Sequence, residues 1–497
     1  MMMFLTGKKQ MSNEFISVHS MSTSYSPKSS RTKISDDLYQ HIIALIESGT
    51  FQIGQRVPSI RALSLELGFG KNTVENVYSR LIGDGYLISK GPAGTYVASR
   101  SPTSESQSTT TSSNSVMHQS IYDEGTIFKK LQIGLPAIDL FPRKYWSNLF
   151  KRKIAETHSS LFYPHSTGLR KLRESITRYV GLSRGILCDP DQVFISSGFR
   201  GALNLLMRAL TEPKDTVFLE DPCFPPTLDI VRSSGAHIVP VPVDTNGLQI
   251  SDALKRYPDV KFIIVTANHQ SPLGCVLGED NRNTLLDWSE KNGTFVIEDD
   301  YDSEFRYDNK PLPTLLSNNN YKNANIIYIG SFSKLINPNL RLGYFIVPKY
   351  MIAKITDFYQ RWIDGFPILT QSVLSEFMDS GNFAKHLNKM RNNYKKRQIF
   401  LQNSLNRYVS DIFHVKNFNH GLNTLLLLKN CFKCDDLELM KIAQQENFGI
   451  GCLSNRQIER RDLNGLILSF SNLKTQEEAY KIISDFDRVI RPYVSSK

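Results

Sequence analysis

A lysine behind two serines and ahead of an arginine, in the run GSFSKLINPNLRLG at residues 330–343, is the stretch best equipped for covalent chemistry. An amine such as that of Lys334 condenses with an aldehyde, and the imine so formed is an exchangeable tether. Ser331 and Ser333 bring hydroxyls suited to a phosphate, and Arg341 adds a planar charged fork for the same dianion. Standing alone, such a lysine reads as a surface-loop residue. A second motif, VIEDDYDSEF at residues 296–305, changes that reading. Its acids directly follow Phe295-Val296-Ile297, so burial is expected rather than a solvated acidic face. A carboxylate facing a pyridine nitrogen keeps it protonated and makes the ring an electron sink, and a tyrosine hydroxyl can reach a phenolic oxygen on that ring. A buried carboxylate without a partner is costly, and a pyridinium would remove the cost.

These residues must be delivered by elements. From about Ile127 onward, apolar strand-like runs alternate with helical stretches: QVFISSG, TVFLED, KFIIVTA, TFVIEDD and NIIYIGSFSK. Each run ends in small, polar or acidic residues, the pattern of a buried parallel sheet that presents functional groups at the carboxyl ends of its strands. The fold class expected is α/β, with Lys334 at a strand end. The two motifs together then describe a grip on pyridoxal phosphate, held as a Schiff base on Lys334.

A different pattern precedes this body. Leu38, Ile42, Leu45 and Ile46 share one face of a helix that stops at Gly49. Pro58-Ser59 opens a second helix with Ile60, Leu63 and Leu67 inside, and Gly68 to Gly70 make a turn. Asn72 or Thr73 is expected to cap a third helix whose inner stripe is Val74, Val77, Tyr78 and Leu81. Two helices joined by a short glycine-containing turn are helix-turn-helix geometry, and YLISK, GPAG and TYVA read as a hairpin wing. The outer face of the third helix carries Lys71, Asn72, Thr73, Glu75, Asn76 and Arg80, short polar groups suited to phosphates and base edges. Five Lys/Arg against six Asp/Glu between Asp36 and Ala98 make this head a weak non-specific DNA binder. On charge alone, a small helical protein-interaction module would fit as well.

Length and composition set outer bounds. A chain of 497 residues calls for two or three domains, and 40% hydrophobic with 22% charged residues is the make-up of a globular protein. No run approaches the roughly 18 apolar residues of a membrane span. The opening MMMFLTGKKQ is too short in apolar residues for a signal peptide, and Met1, Met11 and Met21 leave the start codon open. The net charge of +11 favours acidic partners, although it is spread along the chain. The Cys431/Cys434 pair lacks companions for a zinc site, so no metal is expected, and six irregular cysteines read as reduced thiols of a cytoplasmic protein. The expected division is a disordered tail at 1–33, a DNA-binding head at 34–98, a flexible Ser/Thr-rich linker at 99–126 and a body at 127–497. Within the body, a large part takes about 160–347 and a small part 127–159 with 348–497.

The run GQRVPSIRALSLELGFGKNTVENVYSRLIGDGYL resembles the GntR-type winged helix, including its PSxR element (Pro58, Ser59, Arg61) and the TVxxxY of the third helix. The resemblance implies DNA contacts from Arg61, Lys71, Asn72 and Thr73, with Asn76 on the same face and Gly94 near the wing tip. Gly70-Lys71 stands where that family usually has Ser-Arg. The body resembles fold-type I aminotransferases and, within them, the MocR subfamily of GntR-type regulators. The further landmarks are LPAIDLFPRKYW, YPHSTGLRKLRESITRYVGLSRGILCDPDQVFISSG, EDPCFPP and HQSPLG. By that resemblance Asp299 pairs with the pyridine nitrogen, Tyr301 with the phenolic oxygen, and Phe224 stacks on the ring. Ser197-Gly198 present a backbone nest to the phosphate, His269 and Gln270 lie close to the ring, and Tyr163 reaches the phosphate of the neighbouring subunit in a head-to-tail homodimer.

The sequence also departs from the aminotransferase pattern. Phe199 and Arg200 replace the usual hydroxyl residue and Gln, Ser271 replaces an Asn, and Pro225-Pro226 fill positions where some amino-acid-sensing relatives carry arginines. LILSFSNL at 466–473 aligns with the strand carrying the arginine that grips a substrate α-carboxylate, and that position is read as Asn472. The expectation is a transcription regulator that senses pyridoxal phosphate or an amino compound through Lys334, with no physiological turnover. The rival readings are a working aminotransferase with an accessory DNA-binding head, and a scaffold with vestigial cofactor motifs.

Overall fold

A computed structural model of the chain describes residues 31–98, 128–156, 166–307, 312–318, 320–321, 323–416 and 418–495. The chain divides into two compact units, Met1–Gln119 and Ser120–Lys497. The expected tail and linker lie outside the described residues, apart from the start of the first helix at Arg31, as does Tyr163.

The first unit holds α1 (Arg31–Glu47), α2 (Ile60–Leu67), α3 (Lys71–Gly83), β1 (Leu87–Ser89) and β2 (Thr95–Val97). Ser59 caps α2 by accepting from the Ala62 amide at 3.2 Å, and Gly68 ends it in the left-handed conformation, φ 66°. The start of α3 differs from expectation. Its N-cap is Gly70, not Asn72 or Thr73, because the extended Gly70 already accepts from the Thr73 amide at 2.9 Å. The helix therefore opens at Lys71 and places Asn72 inside its first turn. Leu38, Ile42, Leu63, Val74, Val77, Tyr78 and Leu81 form the buried core, with Leu87 and Val97 paired across the antiparallel wing. Tyr78 donates its hydroxyl to the Pro58 carbonyl at 2.8 Å, so the TVxxxY tyrosine pins α3 to the PSxR turn.

The second unit opens with α4 (Arg143–Glu156) and α5 (Arg170–Arg184), then β3 (Val193–Ser196), α6 (Phe199–Leu210), β4 (Thr216–Asp221) and α7 (Pro225–Ser233). It continues through β5 (His237–Asp244), β6 (Gly247–Leu248), α8 (Ile250–Arg256), β7 (Phe262–Val265), α9 (Glu279–Asn292), β8 (Phe295–Asp300), β9 (Asn325–Ser331) and β10 (Gly343–Ile346). The chain ends in α10 (Ile352–Trp362), α11 (Ile368–Asp379), α12 (Asn382–Tyr408), β11 (Phe413–Lys416), β12 (Asn423–Leu428), α13 (Asp436–Gln445), β13 (Gly451–Cys452), β14 (Gly465–Ser469) and α14 (Gln476–Ser495).

The large sheet runs β3-β10-β9-β8-β7-β4-β5-β6. Strands β5, β4, β7, β8 and β9 are parallel, while β10 is antiparallel to both its neighbours. All five apolar runs read from the sequence are strands of this sheet, and their carboxyl ends share one edge. A second, antiparallel sheet runs β11-β12-β14-β13. The expected part boundary at 347/348 does not follow the packing. Ile355 and Tyr359 of α10 join Phe194 and Phe345 in the large-sheet core, and the Tyr359 hydroxyl donates to the Ile195 carbonyl at 2.8 Å.

Candidate functional site

Lys334 leaves the end of β9 half-buried, and its Nζ donates to the Gly134 carbonyl. Desolvation pushes the amine down to about 8, Arg456 adds to the effect, and Asp302 and Asp299 oppose it. Gly134 has φ 86°, and a Cβ there would stand 3.4 Å from Nζ, so the loop approaches the amine closely because it lacks a side chain. Beside it, the buried Ser331 Oγ accepts from the Ser333 amide at 3.2 Å. Gly198 is the N-cap of α6 at φ 81°, and a Cβ on it would sit 3.7 Å from Ser333 Oγ. A Cβ on Gly343 would come within 2.7 Å of the Gly198 Cα, which brings β10 hard against this turn. The start of a 12-residue helix, with Ser197 before it and the Ser331–Ser333 hydroxyls alongside, has the donors that a phosphate would need. Arg341 sits at φ 48°, exposed, and no hydrogen bond or ion pair of its side chain is found among the described residues. Arg200 is exposed on the first turn of α6, and Phe199 turns inward with its ring 6.2 Å from that of Phe224.

The acidic run at the end of β8 sorts itself by partners. Glu298 accepts from the Leu315 amide at 2.9 Å. Asp300 accepts from Arg184 Nε and the Tyr328 hydroxyl, both at 2.7 Å. Asp302 meets His269 Nδ1 at 2.7 Å, and Glu304 is held by Arg184 at 2.6 Å and by the Tyr179 hydroxyl. Asp299 is the exception. It is buried, its Oδ1 has no partner, and desolvation followed by Asp300, Glu220 and Asp302 holds its carboxyl well above the usual range. Phe224, 36% exposed at the N-cap of α7, offers a ring face. An amine, donors for a phosphate, an orphaned carboxyl and a free aromatic face fit pyridoxal phosphate.

Tyr301 engages His269: its hydroxyl lies 3.1 Å from Nδ1 and 3.0 Å from the carbonyl oxygen, and the rings stack at 5.5 Å. Gln270 is buried with its amide engaged by Pro222 O at 2.8 Å, Glu220 and the Leu273 amide, so its side chain braces the loop. In the first unit, Arg61, Lys71, Asn72 and Asn76 are exposed, and Thr73 is half-buried. Gly94, φ 106°, closes the turn between β1 and β2, where a Cβ would come within 2.5 Å of Arg56 Nε.

Asn472 must be reassigned. It lies past the end of β14, where its amide bridges Pro136 O and the Ile138 amide, both at 3.0 Å. The β14 residue lining the cavity beside Tyr301 and His269 is Ile467, which pairs with Leu425 of β12. Four other residues were missed from sequence: Gly134, Glu220, Asn423 and Arg456. Glu220 accepts from the Thr266 hydroxyl at 2.6 Å and is raised by burial to about 7. Arg456 and Asn423 line the same cavity as Ile467. None of these sits in a motif with Lys334.

The described residues contain no helix long and apolar enough to cross a membrane, and no group of His, Cys, Asp and Glu that could hold a metal ion. The family profile "Aminotransferase class I and II" matches residues 137–460, and "Bacterial regulatory proteins, gntR family" matches residues 34–97. The chain is 30% identical over 458 residues to the "Probable rhizopine catabolism regulatory protein MocR" of Rhizobium meliloti, covering 89% of this chain and 91% of that one. It is 28% identical to the "HTH-type pyridoxine biosynthesis transcriptional regulator PdxR" of Corynebacterium glutamicum, covering 89% and 92%. Among solved structures, a kynurenine aminotransferase of Pyrococcus horikoshii superposes with a TM-score of 0.67 at 23% identity, covering 75% of this chain and 92% of that one. LysN, an α-aminoadipate aminotransferase of Thermus thermophilus, does so at 0.68 and 22%, covering 74% and 94%.

Fold and site together define a DNA-binding transcription regulator built on a winged helix and a pyridoxal phosphate-binding body of the fold-type I aminotransferase class. The chain belongs to the MocR subfamily of GntR-type regulators.

Proposed function

We propose that this regulator senses a small amino compound at Lys334 and answers it with a change in DNA binding, without sustained turnover. The observation that carries the reading is the face β14 turns to the cavity. That strand, Gly465–Ser469, holds no charged residue and presents Ile467 where a transaminase needs a fixed cation for the α-carboxylate. Without a bidentate arginine on β14, an α-carboxylate is not held from the strand, and the orientation that proton transfer needs is lost.

Bound pyridoxal phosphate supplies an electrophilic carbon for amines and an electron-withdrawing ring. The residues here provide its grip: Ser197, Gly198, Ser331, Ser333 and Arg341 for the phosphate, Phe224 for the ring face, Asp299 for the nitrogen. Tyr301, with His269 behind it, serves the phenolic oxygen, and Lys334 is the tether. Tyr163 completes the phosphate site of a second copy in a homodimer. Arg61, Lys71, Asn72, Thr73 and Asn76 meet DNA, with Gly94 letting the wing backbone approach it, and the protein works in the cytoplasm. An effector switches the heads only if it binds two conformations with different affinity.

The test follows the absorbance of the cofactor-loaded chain as amines and amino acids are added, together with any oxo product. A band shift without product build-up is the expected result. Many turnovers per chain at ordinary enzyme rates would overturn the reading. No shift with any amine would leave pyridoxal phosphate itself as the effector.

A further inference from the structure

The outward face of α3 carries a carboxylate that the reading of DNA by the head leaves unused. Opposite the buried stripe of Val74, Val77, Tyr78 and Leu81, the residues Asn72, Glu75, Asn76 and Ser79 are exposed. Their spacing of three and four residues puts these side chains in one row along the helix. Glu75 is the one acid of α3. Other acids of the head are engaged: Asp36 pairs with Arg80 at 2.7 Å, Asp84 takes the Tyr39 hydroxyl, and Glu47 accepts from the Tyr86 hydroxyl at 3.3 Å. No hydrogen bond or ion pair of the Glu75 side chain is found among the described residues, not even with Lys71, which stands four residues before it.

In a helix-turn-helix the second helix enters the major groove, and its first turns meet base edges. A carboxylate brought there is repelled by the phosphates on either side. With five basic residues against six acidic ones, the head has no surplus positive charge to offset that repulsion. The carboxylate must then find a donor on the bases. An ionised carboxylate only accepts hydrogen bonds. The donors in the major groove are the amino groups of cytosine and adenine, while guanine offers O6 and N7, and thymine offers O4 and a methyl group. Adenine N6 sits beside the acceptor N7, a pair suited to the amide of Asn or Gln, whereas cytosine presents its N4 amino group without a second acceptor.

We infer that Glu75 reads a cytosine, its carboxylate accepting from N4 and rejecting guanine and thymine at that position. The inference rests on DNA binding through α3 and narrows it. Glu75 decides which site is read, while the basic residues around it decide how tightly DNA of any sequence is held.

The experiment selects binding sites from a randomised duplex library with the full cofactor-loaded chain, and with Glu75→Ala and Glu75→Gln in parallel. Anisotropy then gives Kd on the wild-type site, on its single-base variants and on an unrelated duplex. The wild type should fix a cytosine that Glu75→Ala no longer prefers. Glu75→Ala should lose about tenfold in affinity for the wild-type site, the worth of one base contact. On the unrelated duplex the same variant should bind more tightly than the wild type, because a repelling charge has gone. Glu75→Gln should move the preference at that position to adenine, whose N6 and N7 its amide can take together. The inference is overturned if Glu75→Ala selects the wild-type sequence, or if its affinity rises equally on both duplexes, the mark of a carboxylate that only repels. A wild type that selects no sequence at all would instead sink DNA reading by α3, and this inference with it. Since Glu75 is exposed and engages no described residue, both variants should melt with the wild type, which thermal denaturation checks.

Discussion

Asp299 and Lys334 show at the scale of single residues what the site is built to hold. The Asp299 carboxyl is buried, its Oδ1 has no partner among the described residues, and burial holds it well above the usual carboxylate range, so without cofactor it contributes little to the fold. Asp299→Asn should therefore leave the melting temperature of the cofactor-free chain unchanged or slightly higher. It should also remove most of the rise that cofactor produces, because stabilisation by a ligand follows its affinity. Thermal melts with and without pyridoxal phosphate check both halves, and equal cofactor-induced rises in wild type and variant would refute the role. Lys334 makes a pH prediction. Its amine condenses only when neutral, and it titrates near 8. Cofactor loading should therefore speed up about tenfold per pH unit below that point and level off above it. Arg456 lowers this value and Asp302 raises it, so Arg456→Gln should move the midpoint up and Asp302→Asn down. Lys334, Ser331 and Asp299 were legible in the sequence because each ends an apolar strand inside a contiguous motif. Arg456 and Gly134 were not, since separate loops bring them in and no local pattern marks them, while Glu220 ends the run TVFLED and opens EDPCFPP without being singled out. Asn472 was misread because β14 ends at Ser469, and only the β12–β14 register shows that Ile467 is the residue of LILSFSNL at the cavity.

The elements of the head were read well where burial governs them and less well where backbone does. The stripe Val74, Val77, Tyr78 and Leu81 is buried as its spacing requires, and Tyr78 reaches Pro58 as the two motif ends demand. The cap of α3 was misplaced because glycine caps without a side chain and leaves no chemical signature. The helices of the head carry two kinds of basic side chain. Arg80 is exposed but bound to Asp36 at 2.7 Å and over the Tyr39 ring at 3.9 Å, whereas the exposed Arg61 and Lys71 have no ion pair among the described residues. Arg61→Ala and Lys71→Ala should each weaken DNA binding and flatten the dependence of log K on log salt by about one unit. Arg80→Ala should leave that slope as it is. Fluorescence anisotropy over a salt series would show this, and a slope lost with Arg80 but kept without Arg61 would reverse the assignment.

For the whole molecule, the large sheet gathers the carboxyl ends of β3, β4, β7, β8 and β9 along one edge, and the amine, phosphate donors and orphaned acid all sit there. The strand runs made this legible. The antiparallel β10, which wedges Gly343 against Gly198, did not stand out among them. A body able to hold cofactor, joined to a head able to hold DNA, works as a regulator only if the state of Lys334 alters DNA affinity. The direct measurement is the affinity of wild type and Lys334→Ala for DNA flanking the coding sequence, taken without cofactor, with pyridoxal phosphate, and with pyridoxal phosphate plus β-alanine. The account predicts that DNA affinity changes with these additions in the wild type and is indifferent to them in Lys334→Ala. A variant that responds as fully as the wild type would contradict it.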